Sequence, residues 1–270
     1  MNIRLLLIDA LNLIRRVYAA QPGDDGPVRV DDSLKTSVHS LQRALRESRP
    51  THAICVFDGH EPSWRHTLYP EYKAGRTPMP EVLDSNMNRF KAAFSQIGVL
   101  SVCFPNLEAD DVIATLSGKM AARGGTVIIL STDRLLLQLV SDLVVVRDHF
   151  QRVDMDRTYV QEKLHARPDQ LVDLFALAGY ATNNIPGVST VGIKTAARLL
   201  GDLETLDTIL SVAHTIKGKL GEMLYRHADE ARLSQSLVRL KDTPELGLNL
   251  KSFRYAGQPE NHSAQKFSKL

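Results

Sequence analysis

The sequence predicts an α/β fold: a mostly parallel central sheet flanked by helices, with an all-helical region behind it. Three observations carry this. Short runs rich in Leu, Val and Ile recur at 3–8, 53–57, 99–104, 126–130 and 143–146, lengths that suit strands buried on both faces. Segments of helical period lie between them, at 34–46, 82–97, 111–122 and 135–140. After about residue 157 the strand pattern stops, and short helical patterns follow, separated by Gly, Pro, Asn and Thr.

Taken in order, the first run closes at Asp9 and the second at Asp58, each acid directly after the apolar stretch. The third run meets Glu108, Asp110 and Asp111, which open the next helical segment. The fourth ends in Leu130-Ser131-Thr132-Asp133, and the fifth leads out of the α/β part. We expect a catalytic α/β domain over 1–157, a helical region over 158–255, and a polar tail without apolar period over 256–270.

Composition narrows the class. The 270 residues are 43% hydrophobic, enough to bury a large core, which excludes disorder for most of the chain. Cys55 and Cys103 are the two cysteines, each in an apolar run, so neither a disulfide scaffold nor a Cys-based zinc site is expected. The N-terminal apolar run is too short for a signal peptide and meets Asp9, so we expect a cytoplasmic chain with no membrane span. A net charge of +2, from 33 basic and 31 acidic residues, leaves partner choice to the distribution of charge.

In a parallel sheet the carboxyl ends of the strands share one edge, where ligand sites gather. Asp9, Asp58, Glu108, Asp110 and Asp111 would converge there. Such a concentration of like charge calls for a cation, and all-oxygen ligands select a hard one, Mg²⁺ with Mn²⁺ as substitute. Asp133 is a sixth candidate, although a lone Asp before a helix also serves as an N-cap. Taken singly, the other acids would serve as turn formers or helix-terminus charges, and their joint placement favours the metal.

Beside Asp58 runs a basic, aromatic segment, Ser63-Trp64-Arg65-His66 and then Tyr69-Pro70-Glu71-Tyr72-Lys73-Ala74-Gly75-Arg76. Basic groups neutralise phosphates and rings stack on unpaired bases, so we expect contact with a polyanion here, from Arg65 and Tyr72 among others. In the helical region, Ile185 to Ala196 place Gly187 and Gly192 in a tight turn between helices. The amides of 192–194 would face outward from a helix N-terminus and Lys194 adds charge, which is the logic of a helix-hairpin-helix grip on a DNA backbone. An ordinary αα-turn capped by Thr190 would read the same way.

Together the motifs Leu7-Ile8-Asp9-Ala10, Val56-Phe57-Asp58, Trp64-Arg65-His66, Tyr72-Lys73-Ala74-Gly75-Arg76, Glu108-Ala109-Asp110-Asp111, Ser131-Thr132-Asp133 and Pro186-Gly187-Val188 through Gly192-Ile193-Lys194-Thr195-Ala196 resemble the bacterial 5′-nuclease, or flap endonuclease, family. The resemblance spans roughly residues 3 to 210. It implies a Mg²⁺-dependent phosphodiesterase acting at 5′ flaps or ends of branched DNA, with a helical arch at about 59–90. Asp9, Asp58, Glu108, Asp110 and Asp111 would surround the first Mg²⁺, with Asp110 central to catalysis, while Lys73 and Arg76 steady the scissile phosphate. Thr190, Val191, Gly192, Ile193, Lys194 and Thr195 would grip duplex DNA. In the short free-standing members of the family the hairpin also cages K⁺ through main-chain carbonyls, here matching Leu177, Ala178, Pro186, Val188 and Val191.

The chain departs from the broad family at the second metal site. Asp133-Arg134-Leu135 stands for Asp-Lys-Asp, and Gly179-Tyr180-Ala181-Thr182-Asn183-Asn184 for Gly-Asp-Glu-Ser-Asp-Asn, so acids are missing at Leu135, Tyr180 and Asn183. The alternative reading is therefore a DNA-junction-binding protein of the same fold that cleaves little. An RNA-cleaving enzyme of PIN type would share the strand-end acids, but PIN domains are shorter and lack the glycine hairpin.

Overall fold

A computed structural model describes residues 3–242 and 245–257. Most of the tail expected at 256–270 lies outside the described residues. Six strands form one sheet in the order β3-β2-β1-β4-β5-β6: β1 (Arg4–Asp9), β2 (His52–Phe57), β3 (Leu100–Cys103), β4 (Thr126–Leu130), β5 (Val144–Asp148) and β6 (Val153–Met155). The first five pair in parallel, and β6 returns antiparallel to β5. All five expected strands are present. The sixth was not foreseen, because three residues with Asp154 in the middle give no apolar run.

The helices are α1 (Ala10–Ala20), α2 (Pro27–Ser48), α3 (Trp64–Leu68), α4 (Glu81–Asp84), α5 (Met87–Gln96), α6 (Ala109–Ala121), α7 (Arg157–Leu164), α8 (Leu171–Ala178), α9 (Ile193–Leu203), α10 (Leu206–Ser211), α11 (Lys219–Arg226) and α12 (Ala228–Val238). The expected helix at 82–97 is broken at 85–86, and residues 134–139 form a 3₁₀ rather than an α segment. Helix α1 was missed altogether.

Alternation along the strands sorts the core into two layers. Leu5, Leu7, Ile54, Val56, Val127 and Ile129 face one side, with α6 and the helical region. Leu6, Ile8, Ala53, Cys55 and Phe57 face the other, packed with residues of α1, α2 and α5. Because the chain runs β1 to β2 to β3 on one side and then crosses to β4 on the other, the order reverses between β1 and β4. In such sheets the crevice outside the carboxyl ends at the reversal is the ligand site. Asp9 ends β1 at this crevice, and Ser131 follows β4 beside it.

Cys55 and Cys103 are both unpaired thiols. Among the described residues no helix is long and apolar enough to cross a membrane.

Candidate metal centre and nucleic-acid interface

Each acid at the crevice is fixed by the backbone that follows its strand. Asp9 caps α1, accepting from the Asn12 amide at 3.2 Å, and its second oxygen accepts from Ser131 Oγ at 2.8 Å. Asp58 accepts from the Ala109 amide at 2.7 Å, which joins the end of β2 to the N-terminus of α6. Asp110 sits in the first turn of α6, and Asp133 caps the 3₁₀ turn after β4 through the Leu135 amide at 2.8 Å.

These four carboxylates line one cavity of about 330 Å³, with Arg15, Arg16, Lys73 and Arg76 also in its lining. Burial and the Asp58 charge push the Asp9 carboxyl up from 3.8 to about 7, against the hydrogen bonds from Ser131 and Asn12. Burial, then Asp133 and Asp9, hold Asp110 well above the carboxylate range. Acids that repel one another in a desolvated crevice are the donor chemistry a hard divalent cation relieves. Among the described residues no three acid, His or Cys side chains are already drawn to one metal-sized point. The set fits a cation that gathers its ligands, or shares them with water and phosphate, rather than a closed cage.

Two of the acids expected at the metal do not line the cavity. Successive helix residues point about 100° apart, so when Asp110 faces the crevice, Asp111 faces the core. Asp111 is fully buried and accepts from Arg65 Nη1 and Nη2 at 2.8 and 2.9 Å, from Trp64 Nε1 at 3.0 Å and from the Lys241 amide at 2.9 Å. Glu108 is buried too. Ser63 Oγ donates to it at 2.7 Å, and Arg65, Tyr72 and Lys73 converge on its other oxygen at 3.1 to 3.2 Å. Burial would raise the Glu108 pKa, but Lys73, Arg65 and Ser63 hold it below the usual carboxylate range. Both acids are saturated by protein donors.

The same contacts correct the expectation for Arg65 and Tyr72. Arg65 is 1% exposed and Tyr72 2%, so neither reaches solvent or DNA. Arg65 also donates to the Leu237 and Arg239 carbonyls at 2.8 and 3.3 Å, tying α3 and α6 to the end of α12. A basic residue beside a functional edge reads as a phosphate ligand from sequence. Its partners, 43 to 174 positions away, are visible only in the fold.

Lys73 and Arg76 remain at the cavity. Lys73 adopts a left-handed backbone (φ 59°) and its amide donates to the Asn183 carbonyl at 2.9 Å. Arg76 donates to the Thr182 carbonyl at 3.2 Å and to Asn183 Oδ1 at 2.6 Å. At the three positions where the family resemblance implied missing acids, Leu135 is buried, Tyr180 donates its hydroxyl to Asp133 Oδ1 at 2.9 Å, and buried Asn183 bonds Arg76 and the Tyr72 hydroxyl. Sequence reasoning missed Asn12, Arg15 and Arg16, all on α1. The period Ala10, Leu13, Ile14, Val17 in the buried face of that helix was the available signal.

In the hairpin, Thr190, Gly192 and Lys194 are exposed or half-exposed at the start of α9, Thr190 in a left-handed conformation (φ 69°) and Gly192 at the cap. Val191 departs from the expected DNA contact: its side chain is 4% exposed in the core and its amide donates to the Val188 carbonyl. Among the residues matched to the K⁺ cage, the Leu177 carbonyl accepts from the Val188 amide at 2.7 Å and the Val188 carbonyl from the Val191 amide at 3.0 Å, while Gly187 packs on Ala178 and Gly179.

Residues 4–165 match the model of the 5′-3′ exonuclease N-terminal resolvase-like domain, and residues 166–261 that of the 5′-3′ exonuclease C-terminal SAM fold. The chain is 40% identical over 253 residues to Flap endonuclease Xni of Psychromonas ingrahamii, covering 93% of this chain and 97% of that one. It is 41% identical over 261 residues to Flap endonuclease Xni of Aeromonas hydrophila, covering 95% and 97%. Among solved structures, T5 5′-exonuclease with bound zinc superimposes with a TM-score of 0.74 at 22% identity, covering 88% of this chain and 89% of that one. The catalytic core of Rad2 in complex with DNA substrate superimposes with a TM-score of 0.58 at 13% identity, covering 95% and 82%. The structural likenesses bear on the fold, and the sequence matches over nearly the whole length settle membership: the chain belongs to the 5′-3′ exonuclease family.

Proposed function

We propose that the chain is a Mg²⁺-dependent flap endonuclease that hydrolyses phosphodiester bonds at 5′ flaps or ends of branched DNA. The observation that carries this is the cavity in which Asp9, Asp58, Asp110 and Asp133 meet Lys73, Arg76 and Arg15. Mg²⁺ held by the four carboxylates would lower the pKa of a bound water and offset phosphate charge. Lys73 and Arg76 would stabilise the negative charge that develops on the phosphoryl oxygens, held in place by their bonds to Glu108 and to Thr182 and Asn183. Thr190, Gly192 and Lys194 at the start of α9 would hold the duplex backbone without reading sequence, with K⁺ at the neighbouring carbonyls assisting. The relatives' printed name, flap endonuclease, points the same way.

The test is cleavage of a 5′-flap duplex with and without Mg²⁺, by wild type and Asp110→Asn. Wild-type cleavage that requires Mg²⁺ and vanishes in the variant, with binding retained, is the expected result. One observation favours a second reading. Asp133 Oδ1 is already occupied by the Leu135 amide and the Tyr180 hydroxyl, which leaves a second cation few protein ligands. Tight junction binding with no Mg²⁺-dependent cleavage would make the chain a binding protein of this fold.

A further inference from the structure

We propose that Arg15 is a substrate-phosphate ligand of the candidate site, a role that rests on the nuclease reading above. Helix α1 starts directly after Asp9, so its exposed face, with Asn12, Arg15 and Arg16, lines the cavity while Leu13, Ile14, Val17 and Tyr18 are buried behind it. Arg15 is half-buried, and its Nη2 donates to the Thr77 carbonyl at 2.8 Å. That bond uses one of a guanidinium's five N–H donors.

The surroundings argue against a purely structural tie. Arg15 forms no ion pair among the described residues, and burial and the Arg76 charge depress its pKa against the pull of Asp58. Both guanidiniums line one partly desolvated cavity, and their charges repel each other. A neutral amide would hold the Thr77 carbonyl without that repulsion. Charge at position 15 is instead matched by an anion between Arg15 and Arg76, and a planar guanidinium presents paired donors that suit phosphate oxygens. Arg15 and Arg76 line the same cavity as the four carboxylates, so a phosphodiester drawn to a cation held there would come within their reach.

Arg15→Gln and Arg15→Lys test it, the first keeping a donor for Thr77 without the charge. Affinity for a 5′-flap duplex is measured against NaCl with Ca²⁺ in place of Mg²⁺, and single-turnover cleavage is measured with Mg²⁺. For Arg15→Gln the expected salt slope is smaller by about 0.9 unit, because one phosphate fewer is neutralised, and cleavage is slower by roughly 10²-fold. Arg15→Lys should restore the slope and part of the rate, with the Mg²⁺ half-saturation point no weaker than in wild type. An unchanged slope in Arg15→Gln, whether or not the rate falls, overturns the assignment and leaves Arg15 a loop tie. If wild type fails to cleave any flap, the nuclease reading falls by itself, and the Ca²⁺ slope still decides Arg15.

Discussion

Replacing Arg65 by Met should destabilise the protein severely while leaving DNA affinity, measured on the folded fraction, nearly intact. The substitution keeps apolar volume but removes five hydrogen bonds: two to Asp111, one to Glu108, and one each to the Leu237 and Arg239 carbonyls. Asp111 would stay fully buried with only Trp64 Nε1 and the Lys241 amide as donors. Breaking one partner of a buried ion pair costs about 3–5 kcal/mol, because the charge left behind is uncompensated. For a chain of this size each kcal/mol lowers Tm by about 2–4 °C, so we expect a fall of roughly 10 °C.

Urea unfolding and a Tm scan provide the assay, run on Arg65→Met, Asp111→Leu and the double variant. Removing Asp111 as well deletes the stranded charge, so the double variant should be at least about 1 kcal/mol more stable than the sum of the single losses predicts. Recovery stays partial, because Trp64 Nε1 and the Lys241 amide then lack an acceptor. Additive losses would refute the coupling. A normally stable Arg65→Met that binds flap DNA more weakly would refute the burial argument itself and return Arg65 to the DNA interface.

His149 gives a pH dependence. Its ring is buried against Ser40 Oγ at 2.8 Å, and burial together with Arg43 depresses its pKa from 6.5 to about 4. The unfolded chain therefore takes up this proton first, so stability should fall as pH drops from 6.5 towards 4, by about 3 kcal/mol in all. Urea midpoints across that window should show the loss in wild type and a much shallower one in His149→Gln, and equal slopes would exclude His149 as the source. Gly187→Ala addresses the hairpin: the added Cβ would stand 2.2 Å from the Gly179 nitrogen and 2.6 Å from its Cα, at φ +67°. Neither backbone can give way, so a loss of at least about 1–2 kcal/mol is expected from the left-handed conformation alone, together with weaker binding to every duplex sequence. A variant matching wild type in urea midpoint and duplex affinity would show that the turn is looser than its packing implies.

Much of the fold was legible because both its signals are local. Five apolar runs became five parallel strands, and the halt in strand pattern near 157 coincides with the last strand, β6, ending at Met155. Elements whose signal is short or mixed escaped: β6 is a three-residue edge strand, and α1 begins on the residue after Asp9, so strand and helix run together. At the site, the strand-end acids Asp9, Asp58 and Asp133 could be placed from sequence, since an acid closing a parallel strand must stand at the carboxyl edge. Glu108 and Asp111 could not be told from Asp110. The distinction rests on a rotation of about 100° per residue along α6 and on Arg65, whose guanidinium arrives from 46 positions earlier in the chain.

The charge arrangement of the cavity follows from what replaced the missing acids. Where a second cluster of carboxylates would demand a second cation, the chain places neutral partners: the Tyr180 hydroxyl on Asp133, Asn183 between Arg76 and the Tyr72 hydroxyl, and apolar Leu135 in the core. Burial and the Asp133 charge raise the Tyr180 pKa, so this hydroxyl stays protonated and remains a donor. Four carboxylates then face fixed cations from α1 and from residues 73–76. Fixed guanidinium and ammonium groups keep their charge at any metal concentration, whereas a cation bound by so few ligands would come and go with it. On the proposed function, a site built in this way would keep a hold on phosphate when Mg²⁺ is scarce. It leaves Asp110, between Asp9, Asp58 and Asp133 in its electrostatic surroundings, as the acid on which a single metal ion would depend.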